Sequence, residues 1–131
     1  MWDLAYVLGR IMVPAVFVVS GIGKLMNVTV IAKTLETKGF PQPTALGYLV
    51  AAIEVIGGLM VLVGFKTRWA ALALVLFTIA TILVSHNFWV FEGAQRLAQQ
   101  SQALKNLAIM GGLLMIAAIG PGRWSVDGRR A

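Results

Sequence analysis

The sequence predicts an all-α membrane protein: a four-transmembrane-helix bundle with a short interfacial amphipathic helix after the first span. Three observations predict it. Of 131 residues, 59% are hydrophobic and only 12% are charged, a balance too apolar for a soluble domain of this size to hide its surface from water. Apolar runs recur over residues 4–25, 45–65, 69–90 and 104–119, and about 20 apolar residues at ~1.5 Å each cross a ~30 Å hydrocarbon layer. Trp2, Trp69, Trp89 and Trp124, all the tryptophans of the chain, fall at the ends of these runs, where indole rings settle at headgroup level. The whole of 1–131 reads as one membrane domain.

Composition also excludes function classes. The 11 Lys and Arg against 5 acids are scattered between apolar runs, which suits loops and lipid head groups and argues against nucleic acid as a partner. The chain has no Cys, so a dithiol relay, a thiolate nucleophile and a Cys-held iron–sulfur cluster cannot be built from it. With one His, one copy cannot hold a haem through two imidazoles. No metal site and no covalently bound cofactor are expected.

The first span begins at Met1-Trp2-Asp3, which lacks the positive charge of a secretory signal, so it is expected to stay in the mature protein. Pro14 removes one backbone N–H and bends the span near Arg10, which membrane helices tolerate when neighbours re-satisfy the backbone. At about 100° per residue, Arg10, Phe17, Gly21 and Lys24 fall within roughly 60° of one another, so both cations face the bundle interior. From Asn27 to Pro41, an N-cap candidate, apolar Val28, Ile31 and Leu35 and the Gly39…Pro41 stop mark the interfacial helix.

The second span carries the residue that most needs explaining. Glu54 sits in the middle of an otherwise uncharged run from Ala45 to Phe65, where an acid costs roughly 2.5 to 3.5 kcal/mol at a helix centre and must face protein or water. Gly47, Ala51, Glu54, Gly58 and Val61 share one face, and the small residues there admit a close neighbour. Gly64-Phe-Lys-Thr-Arg68 is a tight basic turn into the third span, which is apolar until Ser85-His86-Asn87. The Gln-rich stretch from Glu92 to Gln102 extends the fourth span outward by a turn or two, with Lys105 and Asn106 at the membrane entry. Gly120-Pro-Gly122 ends it, and Arg123, Arg129 and Arg130 form a basic tail.

Up-down connectivity brings Lys24, His86, Asn87, Trp89, Lys105 and Asn106 to one end of the bundle. An imidazole, amides and rings gathered in such a mouth can hydrogen-bond the carbonyls of a quinone and stack on its ring, or hold a small anion. Assigning the spans a common starting plane puts Lys24 at the rim, Glu54 ~15 Å below it and Arg10 ~7 Å deeper than Glu54. Arg10 is then the expected buried ion-pair partner of Glu54, since a guanidinium fork suits a carboxylate. With Lys24 and Lys105 drawn into the mouth, five loop cations on the side of the termini face three on the other, which places both termini in the cytoplasm.

Val19-Ser-Gly-Ile-Gly-Lys-Leu25, Glu54-Val-Ile-Gly-Gly58, Gly64-Phe-Lys-Thr-Arg-Trp-Ala-Ala71, His86-Asn-Phe-Trp89, Lys105-Asn-Leu-Ala-Ile-Met-Gly-Gly112 and Gly120-Pro-Gly-Arg-Trp-Ser-Val-Asp127 together resemble the DoxX family of small four-span membrane proteins, over most of the chain. The resemblance implies a compact helical bundle in the cytoplasmic (inner) membrane. Some members of that family serve as subunits of thiosulfate:quinone oxidoreductase or accompany redox enzymes and oxidative-stress systems. Its polar positions correspond here to Arg10, Lys24, Glu54, His86 and Asn106, and it assigns no reaction. The function expected is a small membrane subunit of a quinone-linked redox system, with membrane lipid and a redox-enzyme partner around it and a quinone as its ligand. Two other classes stay open: a non-catalytic organiser or partner-binding protein, and a proton-coupled carrier of a small solute. Gly-rich helix faces also admit a homo-oligomer.

Overall fold

The computed structural model describes residues 1–129, with side chains through 128. Of the expected basic tail, Arg130 and the side chain of Arg129 lie outside the described residues. The elements in order are α1 (Trp2–Met26), α2 (Val28–Thr37), α3 (Pro43–Val63), α4 (Thr67–Ser85), a 3₁₀ turn (Phe88–Val90), α5 (Gly93–Ile119) and a second 3₁₀ turn (Asp127–Arg129). Among the described residues, four segments are long and apolar enough to cross a membrane: α1, α3, α4 together with the turn that follows it, and α5. The short helix after the first span is α2.

The boundaries follow local chemistry. α3 opens with Pro43 at its first turn, where a missing N–H costs nothing. It ends at Gly64, whose φ of 78° lets the Phe65 N–H reach Met60 O at 2.8 Å and the Gly64 N–H reach Val61 O at 3.2 Å. This paired closure satisfies two end carbonyls and depends on a left-handed residue. The third span reaches its expected limit of residue 90 only with the 3₁₀ turn that follows, because α4 itself stops at Ser85 and the chain leaves helical geometry at His86, where φ is −124° and ψ is 36°. The Gln-rich stretch joins α5, as its composition predicts, and α5 reaches 27 residues against 19 for α4. The extra turns place Gln99 beside the end of α4.

The bundle is up-down-up-down, with α1 against α3, α3 against α4, and α4 against α5. The tightest seam is α1 on α3. A Cβ on Gly21 would lie 2.6 Å from Val55 Cγ2 and 2.9 Å from the Ala51 carbonyl oxygen, and one on Gly58 would lie 3.3 Å from the Pro14 carbonyl oxygen. Backbones this close leave room for hydrogen alone. Phe17, Val61, Ala71, Leu74, Leu113 and Ile116 fill the centre of the bundle. α2 docks on the first turns of α3, with Val28 and Ile31 at Gly47 and with Ala32 and Leu35 buried.

The contacts of α1 also fix its register on α3. Gly21 sits level with Ala51 to Val55, Gly58 with Pro14 to Val18, and Arg10 with Leu62. α3 therefore starts beyond the end of α1, and α2 covers the overhang. The expected common starting plane does not hold.

Candidate functional site

That register decides the ion pairs. Lys24 Nζ lies 2.9 Å from Glu54 Oε1 and 3.0 Å from Oε2, and donates to Ser20 Oγ at 2.8 Å. The expected pairing of Arg10 with Glu54 does not form. Glu54 is level with Gly21, one turn below Lys24, while Arg10 lies level with Leu62, eight residues further along α3 than Glu54. Eight residues correspond to ~12 Å of helix, beyond the reach of the guanidinium. The Lys24 stem instead runs along its own helix into the bundle, as long basic side chains do beside apolar surface. The Glu54 side chain is 6% exposed and that of Lys24 is 24% exposed, so the pair is sealed on the acid's side and open on the lysine's.

Above this pair is a cavity of about 870 Å³, within the range of small-molecule sites. α1 contributes Ser20 and Lys24, α2 the apolar edge of Ile31 and Leu35, α3 Val50, Ile53 and Glu54, and α4 Phe77, Thr81 and Val84. Ser85, His86 and Gln99 also line it. Phe77 meets Phe17 edge-on, with ring centroids 6.4 Å apart. Against these apolar walls stand Ser20 with the Lys24–Glu54 pair, His86 with Gln99 and Ser85, and the polar side chains of Asn27, Thr34 and Thr81. The His86 Nδ1 atom is 2.7 Å from Gln99 Oε1. Among the described residues, Lys24 and Glu54 are the only Lys, Arg, Asp or Glu side chains in the lining, and they are paired with each other.

The expected mouth is thus divided. Lys24 and His86 line the cavity; Asn87, Trp89, Lys105 and Asn106 do not. Asn87 starts the 3₁₀ turn, its carbonyl accepting from Val90 N–H at 3.2 Å, and its Oδ1 is buried without a hydrogen-bond partner among the described residues. Trp89 is half exposed and stands edge-on to Phe88. Lys105 is exposed beside a shallow groove with Leu104 and Ala108 on the outside of α5. At about 100° per residue, Lys105 is rotated ~120° away from Gln99, whereas Asn106 is nearly aligned with Gln99 but ~10 Å further along the helix. Asn106 is half-buried there.

Ser20 and Gln99 are the site residues that sequence reasoning missed. Ser20 stands four residues before Lys24, the spacing of neighbours on one helix face. Gln99 belongs to the buried face of α5 through Ala103 and Leu113, a periodicity that separates it from the adjacent Gln100. Among the described residues, no three His, Cys, Asp or Glu side chains converge on a position that could hold a metal ion.

Arg10 has a different task at the opposite end. Although 3% exposed, it faces carbonyls only, donating to Leu62 O at 3.4 Å, to Trp124 O at 2.7 Å and to Pro121 O. Tyr6 donates its hydroxyl proton to Gly120 O. Arg68 caps the last turn of α5, with bonds of 2.7 Å to both Ala117 O and Ala118 O. The segment after α5 then pairs with the end of α3, through Val126 N–H to Val63 O at 3.0 Å and Asp127 N–H to Gly64 O at 2.9 Å. Arginine is suited to this task, since its planar fork serves several carbonyls at once and keeps its charge when buried.

The family model described as DoxX matches residues 5–87. The chain is 35% identical over 128 residues to the inner membrane protein YqjF of Escherichia coli, an alignment covering 95% of this chain and 91% of that protein. It is 28% identical over 122 residues to the inner membrane protein YphA of Escherichia coli, covering 93% and 87% respectively. With the uncharacterized membrane protein Rv3486 of Mycobacterium tuberculosis it shares 30% identity over 128 residues, covering 92% of this chain and 77% of that protein. No solved structure matches the chain.

Proposed function

The chain belongs to the DoxX family, and on that premise we propose that it is a small membrane subunit of a quinone-linked redox system, holding a quinone headgroup in its cavity while a partner enzyme supplies electrons. One observation carries the reading: the cavity of about 870 Å³ is mostly apolar-walled, its lysine and its glutamate are paired with each other, and hydrogen-bonding side chains are set among the apolar ones. A quinone is a flat, neutral, mostly apolar ring with an oxygen at each end, and it matches that lining. A small anion fits less well, because Glu54 already neutralises Lys24. The ligand is bound non-covalently, and lipid surrounds the outward apolar faces.

Purification of the full chain from its native membrane, followed by solvent extraction, tests the reading. Recovery of about one quinone per chain is the expected result, and a folded preparation that yields none, even after quinone is added back, rules it out. The same preparation identifies any redox enzyme that remains attached.

Because Glu54, although almost fully buried, is among the residues that line the cavity, a second reading has support: a proton-coupled carrier of a small neutral solute. Solute-driven pH change inside vesicles containing the protein is its test.

We also place both termini in the cytoplasm. Lys24 is tied up with Glu54, but Lys105 is exposed and counts again as an outer charge. The balance becomes five cations, Lys66, Arg68, Arg123, Arg129 and Arg130, against Lys33, Lys38, Arg96 and Lys105. A C-terminal reporter that is active only outside the cytoplasm should stay silent; strong activity reverses the orientation.

A further inference from the structure

We propose that the cavity opens sideways into the bilayer between α3 and α4, and that its ligand is a long-tailed amphiphile whose apolar tail leaves through that gap. This rests on the quinone-linked reading above and deepens it: the ligand taken is the tailed, membrane-dissolved form, which arrives from lipid.

The gap begins where two helices stop touching. Further down the bundle α3 and α4 are in contact, since a Cβ on Gly57 would lie 2.9 Å from Leu74 Cδ2. At about 100° per residue, Leu46, Val50 and Ile53 point within roughly 40° of Gly57, and Thr81 and Ser85 within roughly 20° of Leu74. All of these line the cavity. The faces that meet at Gly57 and Leu74 therefore part towards the His86 end, and the cavity occupies the space between them.

Helical phase also fixes the side on which that space opens. Leu49 is turned ~80° from Gly57 and Ala80 ~120° from Leu74, and both line the cavity. Because α3 and α4 run antiparallel, these two rotations lead to the same side of the seam. Glu54 is turned ~60° the other way, towards Lys24 of α1. Val75 is turned ~100° the other way and is buried. The lips of the gap thus lie on the side away from α1. Leu49 is 54% exposed, Ile53 38%, and Ala80 is exposed as well.

The chemistry of the lips says what passes between them. Leu49, Ile53 and Ala80 have no polar side-chain atom, and they belong to membrane-crossing segments. Leu49 and Ile53 lie ~9 and ~15 Å along α3 from Pro43, so hydrocarbon is the medium outside. Ser20 and Lys24 of α1 line the wall opposite the lips. A ligand with its polar head inward and its tail at the lips leaves no polar atom in lipid and keeps its tail against apolar surface. The small side chain at Ala80 leaves width for that tail.

The test uses the full chain in lipid nanodiscs, with empty discs as the blank. Decylubiquinone is the tailed probe, and ubiquinone-0, the same ring without the tail, is its control. Each probe is compared between variant and wild type, so its partition into the disc cancels. Ala80→Trp and Ile53→Trp, one on each lip, should weaken decylubiquinone about tenfold more than ubiquinone-0, the scale of overpacking a fitted site. Leu83→Trp should leave both unchanged, because Leu83 is 58% exposed on α4 and does not line the cavity. A measurement on the wild type stands apart from the folding of any variant. Decylubiquinone carrying a diazirine midway along its tail should, on irradiation, label residues within 49–53 or 80–84. Equal losses for the two probes, no loss for either, or labelling confined to other parts of the chain would overturn the assignment. If neither probe binds saturably, the quinone-linked reading itself fails.

Discussion

Lys24 and Glu54 form a two-point ion pair across the α1–α3 seam, 2.9 and 3.0 Å from Nζ to the two carboxylate oxygens, and the same pair lines the cavity. Removing one member leaves the other charged without a partner. Glu54→Gln and Lys24→Met should each destabilise the protein by about 3 kcal/mol, the lower end of the range for buried pairs because the lysine is partly exposed. The double variant should recover most of that loss. Unfolding curves in detergent measure all four proteins, and losses that simply add would show that the two charges are independent. Stability restored without ligand binding would identify the pair as part of a working site.

Glycine substitutions should separate the packed seam from the outer faces. Gly21→Ala places a methyl 2.9 Å from the Ala51 carbonyl oxygen, which must push α1 off α3 at a cost of about 1 to 3 kcal/mol. Gly111 has no atom within 4 Å of an added Cβ, so Gly111→Ala should be neutral, or stabilising by up to ~1 kcal/mol through helix propensity. Equal melting temperatures for the two variants would contradict the seam.

Arg10→Lys should show that the residue is a clamp and not a charge. Lysine keeps the cation but cannot serve Leu62, Pro121 and Trp124 together. The expected loss is about 2 kcal/mol, the scale of a charge-assisted bond or two, with faster tryptic cleavage after Arg123. Cleavage at the wild-type rate would mean that the final segment is held by other contacts.

Arg68→Gln removes the cap on the last turn of α5, where a cation also answers the carbonyl end of the helix dipole. A loss of about 1 to 2 kcal/mol is expected. Hydrogen exchange should localise it to residues near 117–119. Protection that does not change there would refute the capping role.

Much of the fold was legible in the sequence because membrane spans announce themselves by length and composition. The helices α1, α3 and α4, the amphipathic α2, and the stops at Gly64 and Gly120 all follow from hydropathy, glycine and proline. Glu54 could be recognised as inward-facing because the small residues Gly47, Ala51 and Gly58 share its face. DoxX membership, too, was legible from short segments. The site was less so. Of the residues expected at the mouth, Lys24 and His86 reach the cavity, while Lys105 fails because one residue's rotation, about 100°, separates it from its neighbour Asn106.

What the sequence by itself determined is which residues must be inside a membrane bundle and which ends carry polarity, since those are properties of each helix alone. What only the tertiary structure decided is who meets whom. Pairing depends on the axial offset between α1 and α3, and that offset is set by where glycines let backbones touch and by α2 covering the overhang of α3. Sliding one helix by two turns would move its side chains ~11 Å and leave every hydropathy pattern intact. Whether Glu54 finds Lys24 or Arg10 was therefore invisible until the helices were packed.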